Sequence, residues 1–266
     1  MCLRKSPLVF QRLMPMSSMR QGIYSILKND CIAKGIYKMV LEGDTSAITA
    51  SGQFVNIKLD GRYLRRPISI NDWDETTITL LYKVVGGGTE QMSKMLIGDK
   101  LDILVGLGNG FSLDAMMQNP LLVGGGIGLA PLFALCKLIV VKRKIQPVVV
   151  IGATTKQELF YVDEFKNLGA KVVISTDDGS EGTRGFVTDA IKSNEISCDY
   201  FYTCGPMPMM RALNTCLDAS INGQFSLEER MGCGFGACVG CSIETRKGVQ
   251  RVCKDGPIFM REEVIW

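Results

Sequence analysis

Near the C-terminus of this 266-residue chain, Cys233, Cys238, Cys241 and Cys253 follow the spacing C-x4-C-x2-C-x11-C. Thiolates at this spacing suit a plant-type [2Fe–2S] cluster. One loop wraps the irons from one side and a later segment closes the other. Gly232, Gly234, Gly236 and Gly240 are interleaved with the first three cysteines. They let the backbone pass close to sulfide and offer it N–H groups. A zinc knot is the other chemistry that four cysteines allow. Zinc ribbons favour paired C-x2-C knuckles, and only Cys238 and Cys241 have that gap.

Two glycine turns suggest a second chemistry. Gly124-Gly125-Gly126-Ile127-Gly128-Leu129-Ala130-Pro131 follows an apolar run and opens a helical one. Such a turn can admit a pyrophosphate to a helix N-terminus, although it is not the G-x-G-x-x-G fingerprint. Cys204-Gly205-Pro206-Met207 repeats the arrangement after another apolar run. Two such turns at one edge of a parallel sheet make a nucleotide crevice. Its candidate residues are Gly125, Gly126, Gly128, Cys204, Gly205 and Pro206. Arg66-Pro67-Ile68-Ser69 stands at the start of a strand-like run, and by residue type alone it reads as a solvated edge.

The chain has no histidine, which excludes His-dependent triads, His zinc sites and histidine general bases. Its chemistry must run on cysteines, carboxylates or a bound cofactor. Hydrophobic residues are 46%, charged residues 21%, and 30 basic against 27 acidic side chains leave a net charge of +3. This is globular rather than disordered composition. The charge is too small to indicate nucleic acid or an anionic membrane as partner. Ten cysteines fall short of a disulfide scaffold. The scattered ones, Cys2, Cys31, Cys136, Cys198, Cys204 and Cys216, read as reduced thiols of a cytoplasmic protein. The best apolar stretch, residues 121–141, is broken by Lys137 and four glycines, so no membrane span is expected. Arg4, Lys5, Arg12, Arg20 and Lys28 precede the first acid, Asp30. They form a loose basic leader, with a transit peptide as the alternative, and Met14, Met16 and Met19 leave room for a later start.

These groups need elements to hold them, and the length favours two domains. After a leader at 1–21, residues 22–111 read as short strands bounded by Gly, Asp and Asn, at 32–41, 53–59, 67–70, 77–85 and 101–105, with one helix at 89–96. That pattern predicts a small antiparallel barrel. Residues 112–224 alternate strands at 121–123, 147–151, 171–175 and 200–203 with helices at 129–140, 158–168, 186–192 and 208–219, which predicts a parallel sheet. From Phe225 both periodicities vanish, leaving 225–266 as a cysteine-bearing tail. The expected class is α+β and multidomain: a β-barrel, an α/β nucleotide domain and a [2Fe–2S] subdomain.

At these residues the sequence resembles the ferredoxin reductase superfamily. Arg66-Pro67-Ile68-Ser69 is similar to its flavin-binding R-x-x-S, Gly124 to Pro131 to its nicotinamide-nucleotide loop, and Cys204-Gly205-Pro206 to its later C-G-P turn. The run from Ser226-Leu227-Glu228-Glu229-Arg230-Met231-Gly232-Cys233 to Cys241, and then Arg251-Val252-Cys253-Lys254-Asp255-Gly256-Pro257-Ile258-Phe259, narrows the likeness. It resembles the electron-transfer subunits of NAD-dependent (class 1B) dihydroorotate dehydrogenases. Thr176-Asp177-Asp178-Gly179-Ser180, Gly185-Phe186-Val187-Thr188 and Gly108-Asn109-Gly110-Phe111 match as well, and the likeness covers residues 22–266. The family usually has G-P-L-G-N-G-F, where Val105-Gly106 stands here before Leu107.

The resemblance implies FAD in the barrel, with Arg66 on phosphate, Ser69 near the reactive nitrogen, and Pro67, Ile68, Leu81, Tyr82, Lys83, Gly88 and Thr89 as further contacts. It implies NAD as co-substrate and a separate FMN-containing catalytic subunit in a 2+2 heterotetramer. Electrons from dihydroorotate would pass through [2Fe–2S] and FAD to NAD+ in pyrimidine biosynthesis, so no residue of this chain is expected to catalyse substrate oxidation. Small subunits of ferredoxin:NADP oxidoreductases and sulfhydrogenases share the architecture. A non-catalytic nucleotide-binding module with a zinc knot is the reading from another class. Asp177 and Asp178 lie where a ribose could sit and favour NAD over NADP, with Lys156 as the nearby opposing base. Gly234-Phe235-Gly236-Ala237 reads either as a docking rim for the catalytic subunit or as packing of the cluster loop.

Overall fold

The computed structural model describes residues 19–266. Of the expected leader, only residues 19–21 lie within the described residues; Cys2, Met14 and Met16 fall outside them.

Six strands close an antiparallel barrel: β1 (Arg20–Ala33), β2 (Ile36–Glu42), β3 (Phe54–Ile57), β4 (Arg66–Trp73), β5 (Thr77–Lys83) and β6 (Lys100–Leu107), in the order β1-β2-β5-β4-β3-β6. Alternate residues point inward. Tyr24 and Ile26, Met39 and Leu41, Ile78, Leu80 and Tyr82, and Leu101, Ile103 and Val105 build one core. A single helix, α1 (Gly87–Ser93), joins β5 to β6 and buries Met92 in that core. The strand expected at 32–41 is two strands. Ala33 pairs with Ile36 across a Lys34-Gly35 turn, where Gly35 adopts φ +71, a region that glycine enters without a Cβ penalty. Strand β1 itself was not expected. Few of its residues are buried, so it carries little apolar signal.

The second half is a seven-stranded sheet of β7 (Pro120–Gly125), β8 (Val148–Ala153), β9 (Lys171–Thr176), β10 (Thr183–Arg184), β11 (Tyr200–Cys204), β12 (Asn222–Ser226) and β15 (Ile258–Met260), ordered β10-β9-β8-β7-β11-β12-β15. The first six are parallel. Their near-continuous apolar runs reflect burial on both faces. Leu122, Val149, Ile151, Tyr200 and Tyr202 pack toward α2 (Leu132–Leu138) and α3 (Val162–Asn167). Leu121, Val123, Val150 and Phe201 pack toward α4 (Val187–Ser193) and α5 (Met207–Cys216). The helix expected at 129–140 divides into a 3-10 turn at Gly126–Leu129, α2, and a π turn at Ile139–Arg143, while that at 158–168 shortens to α3. Pro131 has no N–H for a continuous ladder from the glycine turn.

The cysteine tail is less separate than its composition suggests. Strand β12 straddles residue 225, and β15 returns antiparallel beside it. Between them β13 (Ser242–Thr245) and β14 (Gly248–Arg251) form a hairpin. Cys241, Val252 and Cys253 join the same core as Phe54, Leu107 and Phe225. The barrel is tied to the nucleotide half by Lys137–Asp72 at 2.8 Å, Lys83–Glu158 at 3.4 Å and Asn71 Nδ2 donating to the Ala130 carbonyl at 2.9 Å.

Candidate functional site

The β13–β14 hairpin starts right after Cys241 and pairs Ser242 with Arg251, so the chain returns to set Cys253 beside Cys241. The Cys253 N–H donates to Cys241 Sγ at 3.4 Å. The other two cysteines pair within their loop. The N–H groups of Ala237 and Cys238 donate to Cys233 Sγ at 3.2 and 3.4 Å, and the Cys233 N–H donates to Cys238 Sγ at 3.4 Å. Burial opposes ionisation of Cys233, yet the N–H groups of Cys238, Phe235 and Ala237, with the Cys238 thiol, prevail and hold its pKa down at about 6. Cys253 is pushed up to about 12, first by burial and then by the adjacent Cys241. Two thiol pairs with N–H donors already turned to sulfur fit a two-iron cluster, in which each iron takes two cysteines. Asn56 Nδ2 of β3 donates to the Cys233 carbonyl at 3.1 Å, which fastens this loop to the barrel.

Beside that loop lies a cleft of about 360 Å³ between the barrel and the sheet. Arg66, Pro67, Ile68 and Ser69 of β4 line it with Leu81, Tyr82 and Lys83 of β5 and Thr89 of α1. Gly128, Cys204, Glu228, Met231 and Pro257 close its other side. Gly88 does not line the cleft but backs the Arg66 guanidinium, which occupies the place a Cβ on residue 88 would take. The Arg66 Nη1 donates to the Leu64 carbonyl at 2.5 Å. A guanidinium at the rim and an apolar floor fit the phosphate and ring ends of a flavin nucleotide.

A second cleft, of about 510 Å³, opens along the C-terminal ends of the parallel strands. Gly125, Gly126 and Gly128 line one wall, Gly205 and Pro206 the next, and Gly152, Ser175 and Asp177 the far end. Gly128 abuts the Cys204 carbonyl with no room for a Cβ, so the two glycine turns meet back to back. Ser175 Oγ is buried without a partner, a free hydroxyl at this wall. These features fit a dinucleotide at the carboxyl edge of a parallel sheet. The two clefts share Lys83, Ile127, Gly128 and Glu228. Glu228 faces their open space, but the surrounding walls strip away water and raise its pKa.

Residues 228–265 match the iron-sulfur cluster binding domain of dihydroorotate dehydrogenase B, and residues 122–215 match the oxidoreductase NAD-binding domain. Over 254 residues the chain is 42% identical to the dihydroorotate dehydrogenase B (NAD(+)) electron transfer subunit of Fusobacterium nucleatum, covering 90% of this chain and 96% of that one. Over 259 residues it is 42% identical to the same subunit of a Geobacillus species, covering 93% and 99%. The chain belongs to the family of dihydroorotate dehydrogenase B electron transfer subunits. A solved NADH-dependent reduced ferredoxin-NADP oxidoreductase superposes with a TM-score of 0.84 at 31% identity over 92% of this chain and 90% of that one. A cytochrome P450 reductase from Amycolatopsis, at 21% identity and TM-score 0.67 over 74% and 65%, shares the fold.

The structure distributes the family's motif residues between the two clefts. Cys204, expected at the nicotinamide turn, is enclosed beside the flavin cleft, and burial pushes its thiol up to about 12. Asp177 lines the nucleotide cleft, whereas Asp178 turns back to accept from the Ser180 N–H at 2.9 Å and Oγ at 2.6 Å. Lys156, the opposing base, is paired with Glu181 at 2.8 Å. Sequence reasoning missed Glu228, Ser175 and Gly152 as cleft residues. The last two end strands of the parallel sheet, where ligands gather, and strand ends were the signal. Glu228 stood only within the family-like run that begins at Ser226, with no role attached to it.

Proposed function

We propose that this chain carries electrons released by dihydroorotate oxidation on an FMN-containing partner to NAD+, with a [2Fe–2S] cluster and FAD as its carriers, in pyrimidine biosynthesis. The observation that carries the reading is spatial. The flavin cleft lies between the nucleotide cleft, with which it shares Lys83 and Glu228, and the cluster segment, whose Met231 and Pro257 line it. When bound, FAD exchanges two electrons with a nicotinamide and single electrons with a cluster.

The chain's own residues bind and align. Arg66 offers a planar guanidinium to a flavin phosphate. Ser69 supplies a hydroxyl donor, and Pro67, Ile68, Leu81 and Tyr82 form the wall against the rings. Gly88 leaves space for Arg66, while Lys83 and Thr89 complete the polar side. Gly125, Gly126, Gly128, Gly205 and Pro206 bring backbone close to the dinucleotide. Cys204 stays a neutral thiol at the flavin side. Cys233, Cys238, Cys241 and Cys253 hold the cluster. Proton abstraction from dihydroorotate needs a positioned base, which we assign to the partner in a 2+2 assembly. Among the described residues no helix is long and apolar enough to cross a membrane, in keeping with the cytoplasmic placement we propose.

The test is to purify the chain anaerobically, measure flavin, iron and sulfide, and assay it alone and with the catalytic subunit. About two irons and two sulfides with one FAD per chain are expected. NADH should reduce a dye through the isolated chain, and dihydroorotate should be oxidised only by the pair. Stoichiometric zinc, or dihydroorotate turnover by the chain alone, overturns the reading. Coupling to ferredoxin instead, suggested by the 31% identical solved structure, is favoured if ferredoxin rather than the catalytic subunit supports turnover.

A further inference from the structure

Arg251 ends β14, two residues before Cys253. Its Nη1 donates to the Gly236 carbonyl at 3.0 Å. The nitrogen of that same peptide unit belongs to Ala237, whose N–H donates to Cys233 Sγ at 3.2 Å. One peptide group thus carries a guanidinium on its oxygen and a thiol of the cysteine site on its N–H. The guanidinium is itself held. Its Nε donates to Asp255 Oδ2 at 3.1 Å, and the Arg251 N–H donates to the same oxygen at 2.8 Å. The Lys254 stem packs over Gly236, which adopts φ +91.

We propose that Arg251 is a positioning residue for the cluster: it clamps and polarises the Gly236–Ala237 peptide so that its N–H stays on the Cys233 sulfur, and thereby raises the cluster's reduction potential. Hydrogen bonds in a chain polarise one another. An N–H on a ligating sulfur draws off electron density and favours the reduced, more negative state. Reduction adds one electron to the cluster, while Arg251 gains and loses none and keeps its charge. The fork geometry is needed because one side chain must serve a carbonyl and a carboxylate at once. A lysine, with one nitrogen, cannot span both in the same way.

The inference rests on the cluster reading, so iron and sulfide in the parent holoprotein are measured first. A parent without a [2Fe–2S] cluster defeats that reading rather than the clamp. EPR-monitored redox titration then compares the parent with Arg251→Met, Arg251→Lys and Asp255→Asn holoproteins. In Arg251→Met the equilibrium constant for reduction is expected to fall about tenfold, a 59 mV lower midpoint for one electron, with Arg251→Lys between it and the parent. Asp255→Asn keeps the positive charge but loosens its hold, so the clamp requires a lower midpoint there too. A rise would mean that charge alone acts, and would overturn the proposal. So would a parental midpoint in any cluster-loaded Arg251 variant. If Arg251→Met assembles no cluster, Arg251→Lys and Asp255→Asn decide the matter by the same criteria.

Discussion

Asn109 holds Ile258 by two reciprocal hydrogen bonds: its Nδ2 donates to the Ile258 carbonyl at 2.8 Å, and its Oδ1 accepts from the Ile258 N–H at 3.1 Å. A barrel-exit side chain thereby does for β15 what a neighbouring strand would do. It fixes the segment that follows Cys253 against both the barrel and the sheet. Asn109→Ala should cost about 1–3 kcal/mol, since it leaves partly buried backbone groups unpaired. Thermal unfolding of the holoprotein checks this. An unchanged Tm would show that β12 alone holds β15.

Replacing Cys233, Cys238, Cys241 or Cys253 by serine should each lower iron and sulfide content, since every one is a candidate ligand. Cys198→Ser is the control. That thiol is half-buried, with its pKa pushed up to about 11 chiefly by burial, and the variant should keep a full iron complement. Elemental analysis of anaerobic preparations gives the answer.

Glu228 provides a pH test. Its side chain opens onto the clefts, but the surrounding walls strip water from it and raise its folded pKa, so the folded chain holds a proton that the unfolded chain releases. Stability is therefore lost as pH rises from the unfolded glutamate value through the folded one. Glu228→Gln cannot ionise and escapes that loss. The Tm of the variant relative to the parent should climb as pH rises above the unfolded glutamate value. A constant difference there would refute an elevated pKa.

Asp177 stands in the nucleotide cleft with its counter-base Lys156 already paired to Glu181. A carboxylate there repels the 2′-phosphate of NADPH. The parent should prefer NADH in kcat/KM, and Asp177→Asn should narrow that preference by raising the NADPH value several-fold. Comparable values for both nucleotides in the parent would contradict the assignment.

Phe235 is 44% exposed and Val239 59% exposed on the cluster loop. As part of a docking rim, Phe235→Glu should weaken association with the catalytic subunit and lower dihydroorotate:NAD activity while leaving NADH:dye activity intact. Full activity of the reconstituted pair would return Phe235 to a packing role.

Local chemistry made much of this protein legible in one dimension. The cysteine spacing pointed to a two-iron site because a single loop must present three thiols, and loop spacing is a sequence property. The parallel sheet showed as short apolar runs because its strands are buried on both faces. The glycine turns showed because only glycine tolerates such close backbone approach, as where Gly128 meets the Cys204 carbonyl. Arg66-Pro67-Ile68-Ser69 needed family likeness to be recognised, since an arginine and a serine at a strand start are common on solvated edges.

Other features arose only in three dimensions. Strand β15 lies beside β12 although the cluster segment separates them in sequence, and no periodicity encodes such a return. Cys204 lines the flavin cleft, where the Gly128 turn packs against its carbonyl. Glu228 became a shared wall of two clefts, and the Gly236–Ala237 peptide came to link Arg251 with Cys233, because residues far apart in sequence converge. Spacing along the chain reports what a segment can hold, whereas the surroundings of each group depend on non-local packing of the folded chain.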